Sequence, residues 1–255
     1  MITSTSNSQV RQIAALQTKA KLRDELRLFV AEGTKMVEEL PEVLLQKVFC
    51  SVSYAKNQKN LNFSKKFLPE VVPDLVFSHM SNTKTPQGIL AVARQPEYTI
   101  EDLFTGGPII ILESLQDPGN LGTILRTGEG AGIGGVLVNR ETVDFYNPKV
   151  VRSTMGSLYR VPHLVCPDLE ESVKALKMRG FHVYAAHLDG AQNYTEGDYR
   201  EKTAFLIGNE GNGLTDRLAK TADTFLRIPM EGKVESLNAA VAAAILMYEA
   251  HRQKH

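Results

Sequence analysis

Apolar positions in the first hundred residues recur in short groups with helical or strand spacing. Over residues 10–27, Ile13, Leu16, Leu22 and Leu26 are spaced for one side of a helix and several lysines and arginines lie between them, which predicts an amphipathic helix with a basic face. A strand over 27–31, a turn at Gly33 and a helix capped by Thr34 and ending near Pro41 follow. Further apolar runs predict strands over 48–52, 71–77 and 89–93. The front of the chain is therefore expected to form a small α/β unit.

The rear half alternates more regularly. Strands are expected over 108–112, 135–139, 161–165, 181–187, 203–207 and 225–228, and helices over 121–131, 169–179, 214–219 and from Ser236 to about Gln253. Runs such as PIIIL and TAFLIG are apolar without alternation, as in strands covered on both faces, so the pattern predicts an α/β fold with a mostly parallel sheet. Between the halves, residues 95–107 contain Pro96, Gly106 and Gly107 and read as a boundary, giving one domain over 1–98 and another over 107–255. The final segment SLNAAVAAAILMYEA is small and apolar around most of a helix circumference, which predicts burial or a subunit contact.

Composition then narrows the class. With 43% hydrophobic and 23% charged residues, wholesale disorder is excluded. The net charge of zero hides an asymmetry: 13 basic and 9 acidic residues up to Tyr98, then 16 basic and 20 acidic, so the front half has the charge of a polyanion-binding module. Cys50 and Cys166 stand apart without a CxxC or histidine pattern, which predicts buried thiols rather than a disulfide or a zinc site. The longest apolar run, 239–248, is far short of the roughly 20 residues of a membrane helix. The opening residues lack a signal-peptide core, so a cytoplasmic protein is expected, although the Ser/Thr-rich, acid-poor start also fits a transit peptide.

Three segments fall where strands hand over to helices, the place where open α/β sheets collect ligands. In ESLQDPGNLGTILRTGEGAG, Asp117-Pro118-Gly119-Asn120 supplies turn and cap chemistry ahead of a helix carrying Arg126. Arg126 either pairs with Glu129 one turn on or is placed for a phosphate or sugar oxygen. In TAFLIGNEGNGL, Gly208 and the Gly/Asn-rich turn after it let the backbone approach a ligand. This turn lacks the lysine of a phosphate loop, and GEGAGIGG follows a helix rather than a strand, so neither nucleotide fingerprint is met. In IPMEGKVESLNAAVAAAILMYE, Ser236 either only caps the last helix or, with Asn238, offers hydroxyl and amide groups to a substrate.

In this order and spacing, DPGNLGTILRT, LIGNEGNGL and IPMEGKVESLNAAVAAAI resemble the three signature motifs of the SpoU (TrmH) family of RNA ribose 2′-O-methyltransferases, over residues 108 to about 250. The resemblance implies a SPOUT-type trefoil knot in the C-terminal sheet, S-adenosylmethionine as cofactor, no metal, and a homodimer whose protomers share the site. It places Asn120, Arg126, Glu210, Ser236 and Asn238 at catalytic positions and Leu206, Gly208, Ile228 and Leu237 beside the cofactor. Arg126, and Arg152 in NPKVVRSTMGS, are then candidates to grip RNA. Glu210 would accept the proton of the attacking hydroxyl or fix Arg126. A guanidinium stays protonated, so Arg126 is better suited to clamp a phosphate and a developing oxyanion.

FVAEGTKMVEEL and TPQGILAV make the front half similar to the L30e-like substrate-binding domain of larger family members. This implies RNA as partner and large-subunit rRNA as substrate; tRNA 2′-O-methylation and a catalytically silent RNA-binding homologue are the alternatives. Gly128 stands where the family usually has alanine, a departure worth about 1 kcal/mol of helix propensity that touches no chemical group. His187, ending a strand, is readable as a base or as a structural histidine.

Overall fold

Two β-sheets organise the chain in the computed structural model, which describes residues 2–57, 59, 67–188 and 190–255. Around them the residues divide into two units, 1–97 with 144–159, and 98–143 with 160–255.

The first unit opens with α1 (Ser8–Thr18), α2 (Ala20–Leu26), β1 (Leu28–Glu32) and α3 (Thr34–Glu38), and continues with β2 (Leu45–Ser51), α4 (Val52–Lys56), β3 (Glu70–Val72), α5 (Asp74–Met80) and β4 (Ile89–Arg94). Its sheet runs β1-β4-β2-β3, antiparallel except for the β2–β3 pair. The single helix expected over 10–27 is two, because Lys19 is extended between them. The break leaves terminal carbonyls of α1 unpaired, and the buried Arg23 folds back to donate to the Leu16 carbonyl at 2.6 Å. The strand expected over 71–77 stops at Val72. Pro73 precedes α5, so the apolar run is shared: Val72 packs from the sheet, and Val76, Phe77 and Met80 pack from the helix into the same core as Ile13, Leu16 and Phe49.

The second unit contains β5 (Ile109–Leu112), α6 (Pro118–Ala131) and β6 (Gly135–Val138). After α7 (Pro148–Ser153) come β7 (His163–Val165), α8 (Leu169–Met178), β8 (His182–Ala186), β9 (Gln192–Asn193), β10 (Thr203–Ile207), α9 (Asp216–Ala219), β11 (Thr224–Arg227) and α10 (Ala239–Lys254). The seven strands are all parallel, in the order β7-β6-β5-β10-β8-β11-β9. Every residue of β5 and β10 is buried, which is why these runs read as continuously apolar. Ile109, Ile111 and Leu206 pack in one core with Val173 and Leu176 of α8, while α10 lies against α6.

Gly128 of α6 now has a reason. A Cβ there would lie 2.4 Å from Ile133 Cδ1 and 3.4 Å from Met247 Sδ, so those side chains occupy the space an alanine would take. The last helix begins at Ala239 rather than at Ser236. Asn238 is its cap, accepting from the Ala240 and Val241 amides at 2.9 and 3.3 Å.

Residues 144–159, which carry α7, belong to the first unit although they follow β6 in sequence. α7 packs on β1, Tyr146 and Tyr159 stack near Phe29 with centroids 5.1 and 6.1 Å away, and Arg23 donates to Asp144 at 2.7 Å.

Candidate active site

β5 and β10 are neighbours, yet the chain leaves them in opposite directions. From β5 it passes through α6 to β6 on one side, and from β10 through α9 to β11 on the other. Such a switch point opens a crevice at the carboxyl ends of the strands, the favoured ligand site of open parallel sheets. Loops 113–117 and 208–215 both start there. The third motif segment, 228–238, leaves β11 two strands away and returns to α10, which packs on α6.

A chain of side-chain hydrogen bonds joins the three segments. Asp117 caps α6 by accepting from the Asn120 amide at 2.8 Å, which puts Asn120 in the first turn facing the crevice loops. Asn120 Nδ2 donates to Glu210 Oε1 at 2.8 Å, and Asn238 Nδ2 donates to Asn120 Oδ1 at 3.0 Å. Because Asn238 Oδ1 is committed to the α10 amides, its nitrogen must face Asn120, and Asn120 must turn its own nitrogen to Glu210. Glu210 also receives the Gln116 and Asp117 backbone amides at 3.4 Å each. Burial pushes the Glu210 carboxyl up, but these donors outweigh it and hold the group below the usual carboxylate range, so it is ionised at neutral pH.

Glu210 projects from a closed ring. Asn209 and Gly213 exchange backbone hydrogen bonds of 3.0 and 2.9 Å, and Asn209 Oδ1 accepts from the Gly211 amide at 2.8 Å. At Gly208 an added Cβ would sit 2.0 Å from the Gly213 carbonyl carbon and 2.2 Å from the Leu214 nitrogen, both backbone atoms, so only glycine fits.

The remaining sequence candidates distribute unevenly. Arg126 is exposed and its side chain makes no hydrogen bond or ion pair among the described residues; Glu129 is bonded to Arg160, so the pairing of Arg126 with Glu129 is not formed. Nor does Glu210 fix Arg126, since its side-chain partner is Asn120. Ser236 is exposed and does not cap the helix. Leu206 is wholly buried in the sheet core, leaving its side chain no open face. Ile228 and Leu237 are half-buried, as is Met230 between them, which the sequence reading missed although it sits in the quoted IPM. Among the described residues, 228–237 carry no hydrogen bond, so their backbone donors and acceptors are available. Arg152 lies on α7 in the first unit, half-buried, with no partner for its guanidinium among the described residues. His187 lies against the Phe225 ring at 5.2 Å.

Among the described residues no group of three or more histidine, cysteine or acidic side chains could hold a metal ion, and no helix is long and apolar enough to cross a membrane. Two open clefts, of about 340 Å³ beside β2 and β3 and about 330 Å³ between the ends of α6 and α10, are lined by none of Asn120, Arg126, Glu210, Ser236 and Asn238.

Comparison with known proteins gives a family to this geometry. The model of the SpoU rRNA methylase family matches residues 107–248, and that of the MRM3-like substrate binding domain matches residues 7–91. The chain is 36% identical over 250 residues to the 23S rRNA (guanosine(2553)-2′-O)-methyltransferase RlmP of Bacillus subtilis (strain 168), with 97% of each chain covered. An AdoMet-bound rRNA methyltransferase from Sinorhizobium meliloti superposes with a TM-score of 0.85 at 33% identity, covering 98% of this chain and 97% of that one. The SpoU methyltransferase AviRb from Streptomyces viridochromogenes, in complex with AdoMet, superposes with a TM-score of 0.86 at 25% identity, covering 97% and 98%. With three motif segments hydrogen-bonded around one switch-point crevice and the family match spanning more than half its length, the chain belongs to the SpoU family of S-adenosylmethionine-dependent RNA methyltransferases.

Proposed function

We propose that this protein methylates a ribose 2′-hydroxyl of large-subunit rRNA, with the crevice between β5 and β10 as its active site and the first unit as its RNA-binding module. The observation that carries the reading is the hydrogen-bonded chain Asn238–Asn120–Glu210, which draws one residue from each motif segment to the mouth of the crevice. Support for rRNA is the two-part build: relatives alike over nearly the whole chain are named as rRNA methyltransferases, and the front half matches an MRM3-like substrate binding domain.

The residues fit the cofactor. Ile228, Met230 and Leu237 offer half-buried apolar surface for an adenine, and the unbonded backbone of 228–237 offers donors and acceptors to its polar edge and to a methionyl tail. Leu206 contributes only as the core beneath Gly208, where the ring 209–213 closes tightly over the strand end. When bound, S-adenosylmethionine would supply an electrophilic methyl group to the ribose 2′-oxygen, the C–S bond breaking to leave S-adenosylhomocysteine and the hydroxyl proton passing to solvent.

A hydroxyl is a poor nucleophile, so the protein must orient it and stabilise the charge it develops. Arg126 does the second: its unpartnered guanidinium clamps the phosphate next to the target ribose and the developing oxyanion. Glu210, held ionised by neutral donors, anchors the amide of Asn120 in one orientation rather than serving as a strong proton acceptor. Ser236, exposed and unbonded beside Asn238, is free to hydrogen-bond the ribose. Arg152 adds a phosphate contact from the first unit. The working form is a homodimer through α10, whose small, mostly apolar sequence leaves Val241 and Tyr248, seven residues apart on one face, half-exposed.

The test is methyl transfer from labelled S-adenosylmethionine to protein-free 23S rRNA and, separately, to tRNA, with Arg126→Ala beside the wild type. Label recovered from rRNA in an alkali-resistant dinucleotide and lost in the variant is the expected result. Label in tRNA alone overturns the substrate, and cofactor binding without transfer to rRNA, tRNA or ribosomal subunits overturns the activity. Sedimentation of the active protein as a monomer overturns the dimer.

A further inference from the structure

We infer that Asn139, the residue after β6, is a positioning residue for methyl transfer: it clamps a left-handed turn at Ser114 that aims the Gln116 and Asp117 amides at Glu210. The inference rests on the function proposed above. Ser114 has φ of +56°, a conformation that a side chain resists and glycine accepts freely. Something must hold it there, and every polar group of Ser114 is engaged. Its N–H donates to Asn139 Oδ1 at 2.8 Å, its hydroxyl accepts from Asn139 Nδ2 at 2.8 Å, and its carbonyl accepts from Asn209 Nδ2 at 2.7 Å and Gln116 Nε2 at 2.9 Å. Because β6 and β10 flank β5, the two asparagines reach the turn from either side.

Asn139 extends the clamp one residue further. Its Oδ1 also accepts from the Thr142 hydroxyl at 2.8 Å, and that buried hydroxyl accepts the Leu115 amide at 3.2 Å. Leu115 then sinks its side chain fully into the core, and the chain re-emerges at Gln116 and Asp117, whose amides meet Glu210 and whose next residues begin the helix bearing Asn120. Among the described residues Asn139 has no hydrogen bond to Glu210, Asn120 or Asn238, so it acts on them only through the turn. The half-buried surface assigned to the cofactor follows β11, and none of Ile228, Met230 and Leu237 is hydrogen-bonded to Ser114 or Asn139 among the described residues. Loss of the clamp should therefore reach turnover before it reaches cofactor affinity.

The experiment compares wild type, Asn139→Ala, Asn139→Asp, Ser114→Gly and the double variant Ser114→Gly/Asn139→Ala in single-turnover methyl transfer to 23S rRNA, with S-adenosylmethionine Kd and melting temperature measured on the same samples. For Asn139→Ala the expected loss in rate is about tenfold, the size of one or two hydrogen bonds. Cofactor Kd should stay within about twofold, since the side-chain partners of Asn139 are Ser114 and Thr142, neither of them assigned to the cofactor. Asn139→Asp should stay within about threefold of wild type, because aspartate keeps both acceptors and the Ser114 hydroxyl can rotate to donate. In the Asn139→Ala background, Ser114→Gly should regain most of the rate, since glycine adopts the turn without a clamp. A wild-type rate in Asn139→Ala overturns the proposal, as does a loss in which rate, Kd and melting temperature fall together and glycine rescues nothing. Absence of methyl transfer by the wild type would instead refute the functional reading, and hydrogen exchange at the Leu115 to Asp117 amides would still decide the clamp: equal protection in wild type and Asn139→Ala overturns it.

Discussion

Asn120 is the joint of the site, and replacing it separates hydrogen bonding from charge. Its Nδ2 donates to the Glu210 carboxylate at 2.8 Å and its Oδ1 accepts from Asn238 at 3.0 Å. A hydrogen bond to a charged group contributes about 1.5–3 kcal/mol and one between neutral groups about 0.5–1.5 kcal/mol, and because Glu210 is largely exposed the lower ends apply. Asn120→Ala should thus remove about 2 kcal/mol of alignment, roughly 30-fold in the rate of methyl transfer. Asn120→Asp keeps the acceptor for Asn238 but sets a second carboxylate against Glu210, a repulsion of about 1–4 kcal/mol at 4 Å between water-like and protein-surface dielectric. At pH 8 the aspartate should therefore be slower than the alanine. Like charges raise the affinity of the pair for one proton, and a shared proton restores a donor where the amide stood, so the aspartate variant should recover relative to the alanine as pH falls from 8 to 5.5. Wild-type Glu210, held below the usual carboxylate range, stays ionised throughout this window and adds no titration of its own. The assay is single-turnover transfer from tritiated S-adenosylmethionine to an rRNA fragment, with both variants in parallel at each pH. An alanine variant within threefold of wild type, or a constant aspartate-to-alanine ratio across the range, would refute the coupling of Asn120 to Glu210.

Gly208→Ala should cost about 2 kcal/mol of stability and weaken cofactor binding, because its methyl would overlap the backbone of Gly213 and Leu214; unchanged denaturation midpoint and affinity would contradict this. Arg23→Met removes the buried partner of Asp144 and of the Leu16 carbonyl, and should destabilise the first unit by about 3 kcal/mol and speed tryptic cleavage at Lys149 or Arg152, read by urea denaturation and timed digestion. Burial pushes the Cys50 thiol up to about 11 and raises that of Cys166, so at pH 8 neither should react with a disulfide reagent until the protein is unfolded; rapid labelling of the native protein would count against the packing. Arg160→Ala removes a cation bound to Glu129, whose carboxylate lies one turn along the helix from Arg126, and should raise the KM for RNA about twofold at low salt, with Arg160→Ala/Glu129→Gln restoring it.

The parallel sheet was legible because burial on both faces leaves an unbroken apolar signature: 203–207 was bounded to the residue, and 108–112 missed β5 by one. Misreadings fall where two elements share one apolar run or where a cap decides. Val71 to Phe77 is one hydrophobic string, yet Pro73 divides it between strand and helix, and pattern alone does not say on which side of a proline a run changes period. Ser236 and Asn238 are both acceptable caps two residues apart, and Asn238 wins because its free amide proton also reaches Asn120, a contact 118 positions distant that no local rule contains. For the same reason the motifs supplied candidate residues but not their pairing. The sequence reading offers Glu210 as proton acceptor or as partner of Arg126, and the structure gives it a third partner, the Asn120 amide. The order β7-β6-β5-β10-β8-β11-β9 is only partly legible, since continuous apolarity marks β5 and β10 as interior strands but no local pattern says which strands lie beside them.

Those long-range pairings decide what the arginine can do. A guanidinium near carboxylates is ordinarily neutralised by them, and an arginine committed to a salt bridge must break it before it can take a phosphate. In this chain three acids of the motif segments are engaged by other groups: Glu210 by the neutral amides of Asn120 and the 116–117 backbone, Glu129 by Arg160, and Asp117 by the α6 amide it caps. Anchoring Glu210 with neutral donors keeps a fixed negative group that orders Asn120 without consuming a cation. Arg126 thereby keeps its full charge in water, where it costs little to leave unpaired, and gains most when RNA displaces that water. On the proposed function, variants of Asn120 should therefore read out in rate alone, whereas Arg160→Ala, which acts through the charge of Arg126, should read out in RNA affinity as well.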